Sequence, residues 1–369
     1  MQTTFWTAIV GRIFYANNKT RREKRTEKTV EIRYEPISVV VCAKNEAKNL
    51  AQFLPLLLQQ NYDVYELIVV NDGSTDETAT VLGELQRTYS NLKIITLDLS
   101  ENRVLKGKKH ALTVGIEAAA HDWILVTDAD CAPNSPNWAR VMFAETHQKN
   151  TTLNKQLVLG YSPYKDESTV LNTWIRFETV YTALQYMGLA VWGLPYMGVG
   201  RNMLYDKALF LRNNGLEAHG DLLSGDDDLF VRDVATAENT TICLNAESFV
   251  RSEPKRDLTA YLTQKKRHIS TSVRYKLGVQ ILLSLLSFSQ LGLFLSFGLC
   301  LFVVETTTLY LVIALFLMRW LFILDVFRRA KAAFRERFSG YDVLFCDVLL
   351  SFYLFYLSFS FVLPKAKRW

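Results

Sequence analysis

Asp128 and Asp130 stand two residues apart, just past the apolar run Trp123-Ile-Leu-Val-Thr127. Side chains alternate along an extended chain, so the two carboxylates face the same way. Such a pair suits a hard divalent cation, Mg2+ or Mn2+, which takes oxygen ligands and leaves positions for substrate phosphates. Aspartates at a strand end also serve turns by bonding nearby backbone. A second acidic group, Ser224-Gly225-Asp226-Asp227-Asp228, precedes Leu-Phe-Val-Arg232. It reads as the opening turn of a helix, where the helix dipole favours carboxylates. Capping of that helix and proton transfer are both open to it.

Elements that could position these groups recur along the chain. Ile37 to Ala43 is a β-branched strand running into Lys44-Asn45-Glu46. Asn45 is placed to cap a helix over 47–60, with Leu50, Phe53, Leu54, Leu57 and Leu58 as its apolar stripe. Tyr65 to Val70 forms a second strand ending in Asn71-Asp72-Gly73-Ser74-Thr75-Asp76, where Ser74 or Thr75 can cap the next helix. Leu92 to Leu97 is a third strand, Gly107 to Ala120 a helix opening on Gly107-Lys108, and the Asp128 strand follows. This alternation predicts an α/β domain with a mostly parallel sheet and helices on both faces. Further on come a strand at Leu157 to Tyr161, an aromatic-rich helix at Leu171 to Leu189, and a loop-then-strand signal over Pro195 to Tyr205. The last holds Gly198, Gly200, Arg201 and Asn202.

The chain has 369 residues and a formal charge of +5. No zinc-finger spacing or aromatic RNA-binding motif accompanies that weak excess, so no nucleic acid partner is expected. The basic residues cluster at 21–28, 265–276, 328–337 and 365–368, mostly beside long apolar runs, which points to membrane topology and contact with membrane lipid. Five scattered cysteines form no C-x-x-C and read as buried apolar side chains. Residues 1–15 lack a basic leader and a cleavage site; Phe5, Trp6, Ile9, Ile13 and Phe14 recur at helical spacing and predict an interfacial helix or the remnant of a spanning one. No charged residue falls between Leu277 and Val304, which is longer than the roughly 20 residues a bilayer span needs. Residues 306–326 and 343–363 give two further spans. Arg319 and Asp325 near one end of the second are expected to snorkel to the interface. Charge bias then puts the bulk of the chain and an Arg328–Arg337 loop on the cytoplasmic side, with the turn at Glu305 outside. The basic tail would end outside, against that rule, unless the span count is off by one.

Five ordered signals, and a sixth after them, resemble family 2 glycosyltransferases, the inverting, membrane-attached kind with a GT-A fold. They are Ala43-Lys-Asn45-Glu46, Asn71-Asp72-Gly73-Ser74, Gly107-Lys108-x-x-Ala111-Leu112, Thr127-Asp128-Ala-Asp130 and Ser224-Gly225-Asp226-Asp227, then Gln264-Lys-Lys-Arg267-His268. The last is similar to the Q-x-x-R-W of membrane synthases, with His268 where that pattern carries Trp. By this resemblance Ala43, Asn45, Glu46 and Asp72 would hold the uracil and ribose of a UDP-sugar, a task for which carboxylates are suited as acceptors. Lys108 would meet the diphosphate. Asp128 would contact the nucleotide and, with Asp130, the cation. Asp227 or Asp226 would be the general base; counting from Ser-Gly favours the first, counting back from Leu229 the second. Gln264, Arg267 and His268 would gate nucleotide and acceptor. Trp174, Phe177, Tyr181, Tyr186, Trp192 and Tyr196 would suit sugar rings or lipid, and packing explains them equally well.

The expected layout is a membrane-proximal basic segment at 1–34, a GT-A domain at 35–250, an interfacial segment at 251–276, spans at 277–304, 306–326 and 343–363, and a tail at 364–369. The expected activity is metal-dependent sugar transfer from a nucleotide-sugar to a lipid-linked or saccharide acceptor, at the cytoplasmic face of a bacterial inner membrane. The loss of Trp at position 268 favours single addition over a processive polysaccharide synthase. A nucleotidyltransferase would need a glycine-rich loop after the first strand, and Ala43 to Glu46 holds no glycine. A non-catalytic nucleotide- or saccharide-binding membrane protein would leave the clustered carboxylates without a task, and unpaired charge is costly to keep.

Overall fold

The computed structural model describes residues 5–13, 32–98, 105–147 and 155–360. β1 (Ile37–Ala43), β2 (Tyr65–Asn71) and β4 (Trp123–Asp128) are runs of Val, Ile and Leu buried on both faces, as central parallel strands are. β1 pairs in parallel with β2 and β4, and β2 with β3 (Leu92–Thr96). β7 (Met203–Asp206) runs antiparallel between β4 and β6 (Leu157–Gly160), and β8 (Thr240–Cys243) closes the edge parallel to β6. The seven-stranded order is β3-β2-β1-β4-β7-β6-β8. The expected mixed, mostly parallel sheet is present. A two-stranded sheet of β5 (Cys131–Pro133) and β9 (Val250–Ser252) starts directly after Asp130.

Strand alternation sorts the helices onto two faces. Val39 and Val41 of β1 pack with Leu50, Leu54 and Leu57 of α2 (Ala47–Leu58). Val40 points the other way, towards α4 (Lys108–Glu117), where a Cβ on Gly115 would come within 2.7 Å of its Cγ1. α3 (Thr78–Thr88), α5 (Trp138–Ala144), α7 (Lys207–Arg212) and α8 (Asp228–Val234) complete the helices of this unit.

Two expected caps are replaced. Asn45 takes a left-handed φ of +58° and does not cap α2, whose N-cap is Glu46 without a side-chain bond. Its Oδ1 instead accepts the Thr75 N–H at 2.8 Å, while its own N–H donates to Ser74 Oγ at 2.9 Å. Asparagine tolerates that conformation better than most residues. Neither Ser74 nor Thr75 caps α3; Asp76 accepts the Thr78 N–H at 3.0 Å and the Ala47 N–H at 3.2 Å. The turns after β1 and β2 are thus stapled to each other.

The chain divides into two compact units. One takes in residues 26–165 and 189–254 and holds both sheets; the other takes in 1–25, 166–188 and 255–368. The second unit contains α1 (residues 5–13), α6 (Val170–Val191) up to Gly188, α9 (Leu258–Ile269), α10 (Leu277–Val303), α11 (Thr306–Phe334) and α12 (Gly340–Ser360). α10, α11 and α12 are long and apolar enough to cross a membrane. The aromatics of α6 are packing residues: Phe177 stacks on Phe327 at 4.4 Å, Trp174 meets Tyr353 at 5.1 Å, and Tyr181 meets Trp6 of α1 at 5.1 Å. Ile9 of α1 seats against Gly188, where a Cβ would lie 2.1 Å from its Cγ2. Arg176 donates to Glu336 at 2.7 Å and also pairs with Asp166.

Two span expectations change. α11 runs on to Phe334, so most of the basic stretch from Arg328 is helix rather than loop. Arg319 does not snorkel; at 9% exposure it donates to Asp347 Oδ1 at 2.8 Å and to Gln290 Oε1 at 3.0 Å. Each partner comes from a different long helix, and a paired guanidinium needs no water. Asp325 is exposed and takes Arg328 and Arg329 as helical neighbours. The basic clusters at 21–28 and 365–368 and the last residues of the third expected span lie outside the described residues.

Candidate active site

The parallel register brings three strand ends to one edge. Ala43 lies opposite Asn71, and Cys42 opposite Asp128. The Asp72 N–H donates to the Ala43 carbonyl at 2.8 Å, and Asp72, only 3% exposed, has Lys44 Nζ at 3.8 Å. The Glu46 N–H donates to Thr78 Oγ1 at 2.9 Å, and its Oε2 accepts from Asn49. The staple that holds these turns uses the amide oxygen of Asn45, so that residue shapes the edge as well as bordering it.

Lys108 enters this edge from the first turn of α4, after Gly107 with its left-handed φ of +66°. Its ammonium pairs closely with Asp128 Oδ1 and lies 3.8 Å from Asp226 Oδ2. Burial works to lower its pKa, but Asp128 and then Asp226 overcome this and hold it well above the ordinary lysine value. Lys108 is therefore a fixed positive charge between the two acidic groups. Asp128, Asp130 and Cys131 can each offer a ligand atom, all within 4.8 Å of one another. The Cys131 thiol donates to Asp130 Oδ1 at 3.3 Å, and burial, then Asp130 and Asp128, push its pKa well up. With its proton engaged on Asp130, Cys131 leaves the two carboxylates as the hard oxygen donors of the group. An all-oxygen pair fits Mg2+ or Mn2+ with positions left over, and does not fit a thiolate-seeking metal.

The second acidic group is built on a turn. Gly225 takes φ +100°, and Asp227 caps α8 by accepting the Asp228 N–H at 2.8 Å on Oδ1. Its Oδ2 accepts the Gly200 N–H at 2.9 Å. Burial above all, then Asp226 and Asp228, pushes the Asp227 carboxyl up to about 7. Asp226 turns to Lys108 instead, and Asp228 is buried against the Leu229 N–H. The triplet thus has three different environments.

Lys109, one residue on from the site lysine, holds this loop. It is 0% exposed, and its Nζ donates to the Leu222 and Ser224 carbonyls, each at 2.7 Å. Its only signal in the sequence was helical phase: one residue on from Lys108, it faces inward. The loop-then-strand signal at Arg201 and Asn202 carries no role in the sequence alone. Asn202 is fully buried, taking the Trp138 Nε1–H on Oδ1 at 2.9 Å and donating to the Tyr161 and Ser248 carbonyls at 2.8 Å. Of the expected residues, the structure gathers Ala43, Asn45, Glu46 and Asp72 at the strand ends. It gathers Asp128, Asp130, Lys108 and Asp226 around one charge cluster, with Asp227 beside it. Gln264, Arg267 and His268 lie on α9, in the other unit.

A parallel-edge sheet carrying D-x-D at a strand end and a capped acidic turn defines the GT-A class. A mannosyltransferase from Pyrobaculum calidifontis, solved with GDP-Man and Mn2+, superposes with a TM-score of 0.54 at 15% identity, over 96% of this chain and 99% of that one. Residues 38–207, a little under half of the chain, match the family model for glycosyl transferase family 2. A poly-beta-1,6-N-acetyl-D-glucosamine synthase of Staphylococcus aureus (strain COL) is 33% identical over 128 residues, which is 34% of this chain and 29% of that relative. Its counterpart in Staphylococcus epidermidis is 28% identical over 169 residues, 45% of this chain and 38% of that one. The matches therefore span well under two thirds of these relatives' length.

Proposed function

We propose that this chain is an inverting, metal-dependent glycosyltransferase that moves a sugar from a nucleotide-sugar, foremost a UDP-sugar, to a lipid-linked or saccharide acceptor at the cytoplasmic face of a membrane. The observation that carries it is the convergence of Asp128 and Lys108, both inside the stretch that matches family 2, with Asp226, next to an Asp227 whose pKa is pushed up to about 7. Ala43, Asn45, Glu46 and Asp72 would line the base and ribose. Asp128 and Asp130 would hold Mg2+ or Mn2+, and the cation would supply Lewis-acid neutralisation of the departing diphosphate. Lys108 adds a fixed charge to the same group. Asp227 would take the acceptor hydroxyl proton as that oxygen bonds the anomeric carbon and the carbon–oxygen bond to the diphosphate breaks. A base with affinity near 7 is well matched to that step. Asp226 is the second reading, favoured by its position 3.8 Å from Lys108. Gln264, Arg267 and His268 would gate the entrance, with α10, α11 and α12 as three spans.

Nucleotide release from a panel of UDP- and GDP-sugars, with Mg2+ or Mn2+ and membrane extract as acceptor, tests the activity in nanodiscs. Nucleotide bound but not released from any donor would leave a non-catalytic binding protein, and release unaffected by Asp226→Asn and Asp227→Asn together would remove both as the base. A processive synthase is the second enzymatic reading, favoured by the named activity of the staphylococcal relatives. Product sizing decides it: long chains in the first minutes rule out single addition.

A further inference from the structure

Arg201 is a cation at the site to which none of these roles applies. It follows Gly200, whose N–H holds Asp227, and precedes Asn202, which three hydrogen bonds pin in the core. The backbone on either side of Arg201 is thus anchored, which fixes where its side chain starts. The guanidinium carbon lies 4.6 Å over the Tyr164 ring. Tyr164 bridges Ser252, the residue that faces Cys131 across the small sheet. Arg201 therefore sits between the base turn and the start of β5, near enough for Asp128, Asp130 and Cys131 to bear on its charge. Yet its Nη1 is shut off from solvent and has no hydrogen-bond partner among the described residues.

A guanidinium is always charged, and its planar fork matches the two oxygens of a carboxylate or phosphate. A buried N–H of such a group is costly to leave unpaired. If the anion were the donor diphosphate, it would be served twice, since Lys108 and the cation carboxylates already stand at the β4 side. Arg201 is tethered instead to the residue that holds the base. The group it faces is best placed on the molecule whose hydroxyl that base deprotonates.

We propose that Arg201 binds an anionic group, a phosphate or a carboxylate, carried by the acceptor. This deepens the reading above and depends on it. It sets the acceptor apart from neutral glycans: the acceptor is either a polyprenyl phosphate or an acidic saccharide.

The test uses the full chain in nanodiscs with a donor that supports nucleotide release, and acceptors in matched pairs: polyprenyl phosphate against polyprenol, and a glucuronate-bearing oligosaccharide against its glucose counterpart. One charged member should be preferred over its neutral twin by about 10- to 100-fold, the range of a charged hydrogen-bonded pair, and which one identifies the source of the anion. Arg201→Met should erase that preference through a rise in acceptor KM, and Arg201→Lys should keep part of it. UDP affinity, measured by calorimetry without acceptor, should stay within about threefold in both, which also shows that they fold. Equal use of charged and neutral acceptors, or an Arg201→Met variant that weakens UDP as much as acceptor, overturns the inference while glycosyl transfer stands. A wild-type chain that neither binds UDP or GDP nor releases either defeats the parent reading and this one together.

Discussion

The N–H of Gly200 donates to Oδ2 of Asp227 at 2.9 Å, tying the loop before β7 to the first turn of α8. A Cβ on Gly200 would lie 3.3 Å from the Asp227 Cβ, so the approach is close enough to feel any larger residue. This contact orients a carboxylate whose pKa burial raises.

Activity should depend on pH through Asp227, whose carboxyl is pushed up to about 7 by burial and by Asp226 and Asp228. A general base must be unprotonated, so kcat/KM should rise about tenfold per pH unit below 7 and level off above it. Asp227→Asn should lower the activity by about a thousandfold on the plateau above pH 7, and the gap to wild type should narrow as pH falls below it. The stability effect has the opposite sense. Between roughly pH 4 and 7 the folded chain keeps a proton that the unfolded chain has lost, so this group's contribution declines as pH rises through that window. Thermal melts from pH 4 to 8 should show that slope in the wild type and its absence in Asp227→Asn.

Removal of divalent cations should stop nucleotide release. EDTA is expected to cut the rate at least about a hundredfold, with Mn2+ or Mg2+ restoring it. Asp130→Asn should raise the cation concentration needed for half-maximal rate. Full activity in EDTA would exclude the cation role of Asp128 and Asp130.

The adjacent lysines of α4 should separate cleanly. Lys109→Met leaves the Leu222 and Ser224 carbonyls without their donor, and should cost about 2–3 kcal/mol of stability, read by denaturant unfolding. Lys108→Met removes a charge from the site, and should weaken UDP binding about tenfold or more while changing stability far less. Equal stability losses in the two variants would contradict this division.

Much of the sheet was legible because its strands are runs of Val, Ile and Leu that have only one way to be buried. Asp128 and Asp130 were legible for the same reason, standing where such a run stops. Asn45 misled because an asparagine before a helix usually caps it; only the neighbouring turn, thirty residues on at Thr75, shows why it adopts φ +58° instead. Lys109 was hidden by its charge, since lysine normally stays in water and nothing local reveals two buried carbonyls. Arg319 was hidden by distance: its partners Gln290 and Asp347 are polar residues in two other apolar runs, and their pairing exists only once three helices meet.

That three-helix pairing predicts an asymmetry. Asp347→Ala strands a buried guanidinium and Arg319→Met strands a buried carboxylate, and each should cost about 3–5 kcal/mol. The double variant Arg319→Met with Asp347→Leu should be more stable than either single change. Melting in detergent measures all three, and additive losses would contradict the pairing.

The helical unit is threaded from three separate stretches of chain, 5–13, 166–188 and 255–360. Trimming the protein before Lys255 to obtain a water-soluble enzyme would therefore not remove a detachable anchor. It would strip the covering from Trp6, Phe177 and Tyr181, leaving greasy remnants at the front and in the middle of the polypeptide, and such a preparation should clump unless those stretches are redesigned as well.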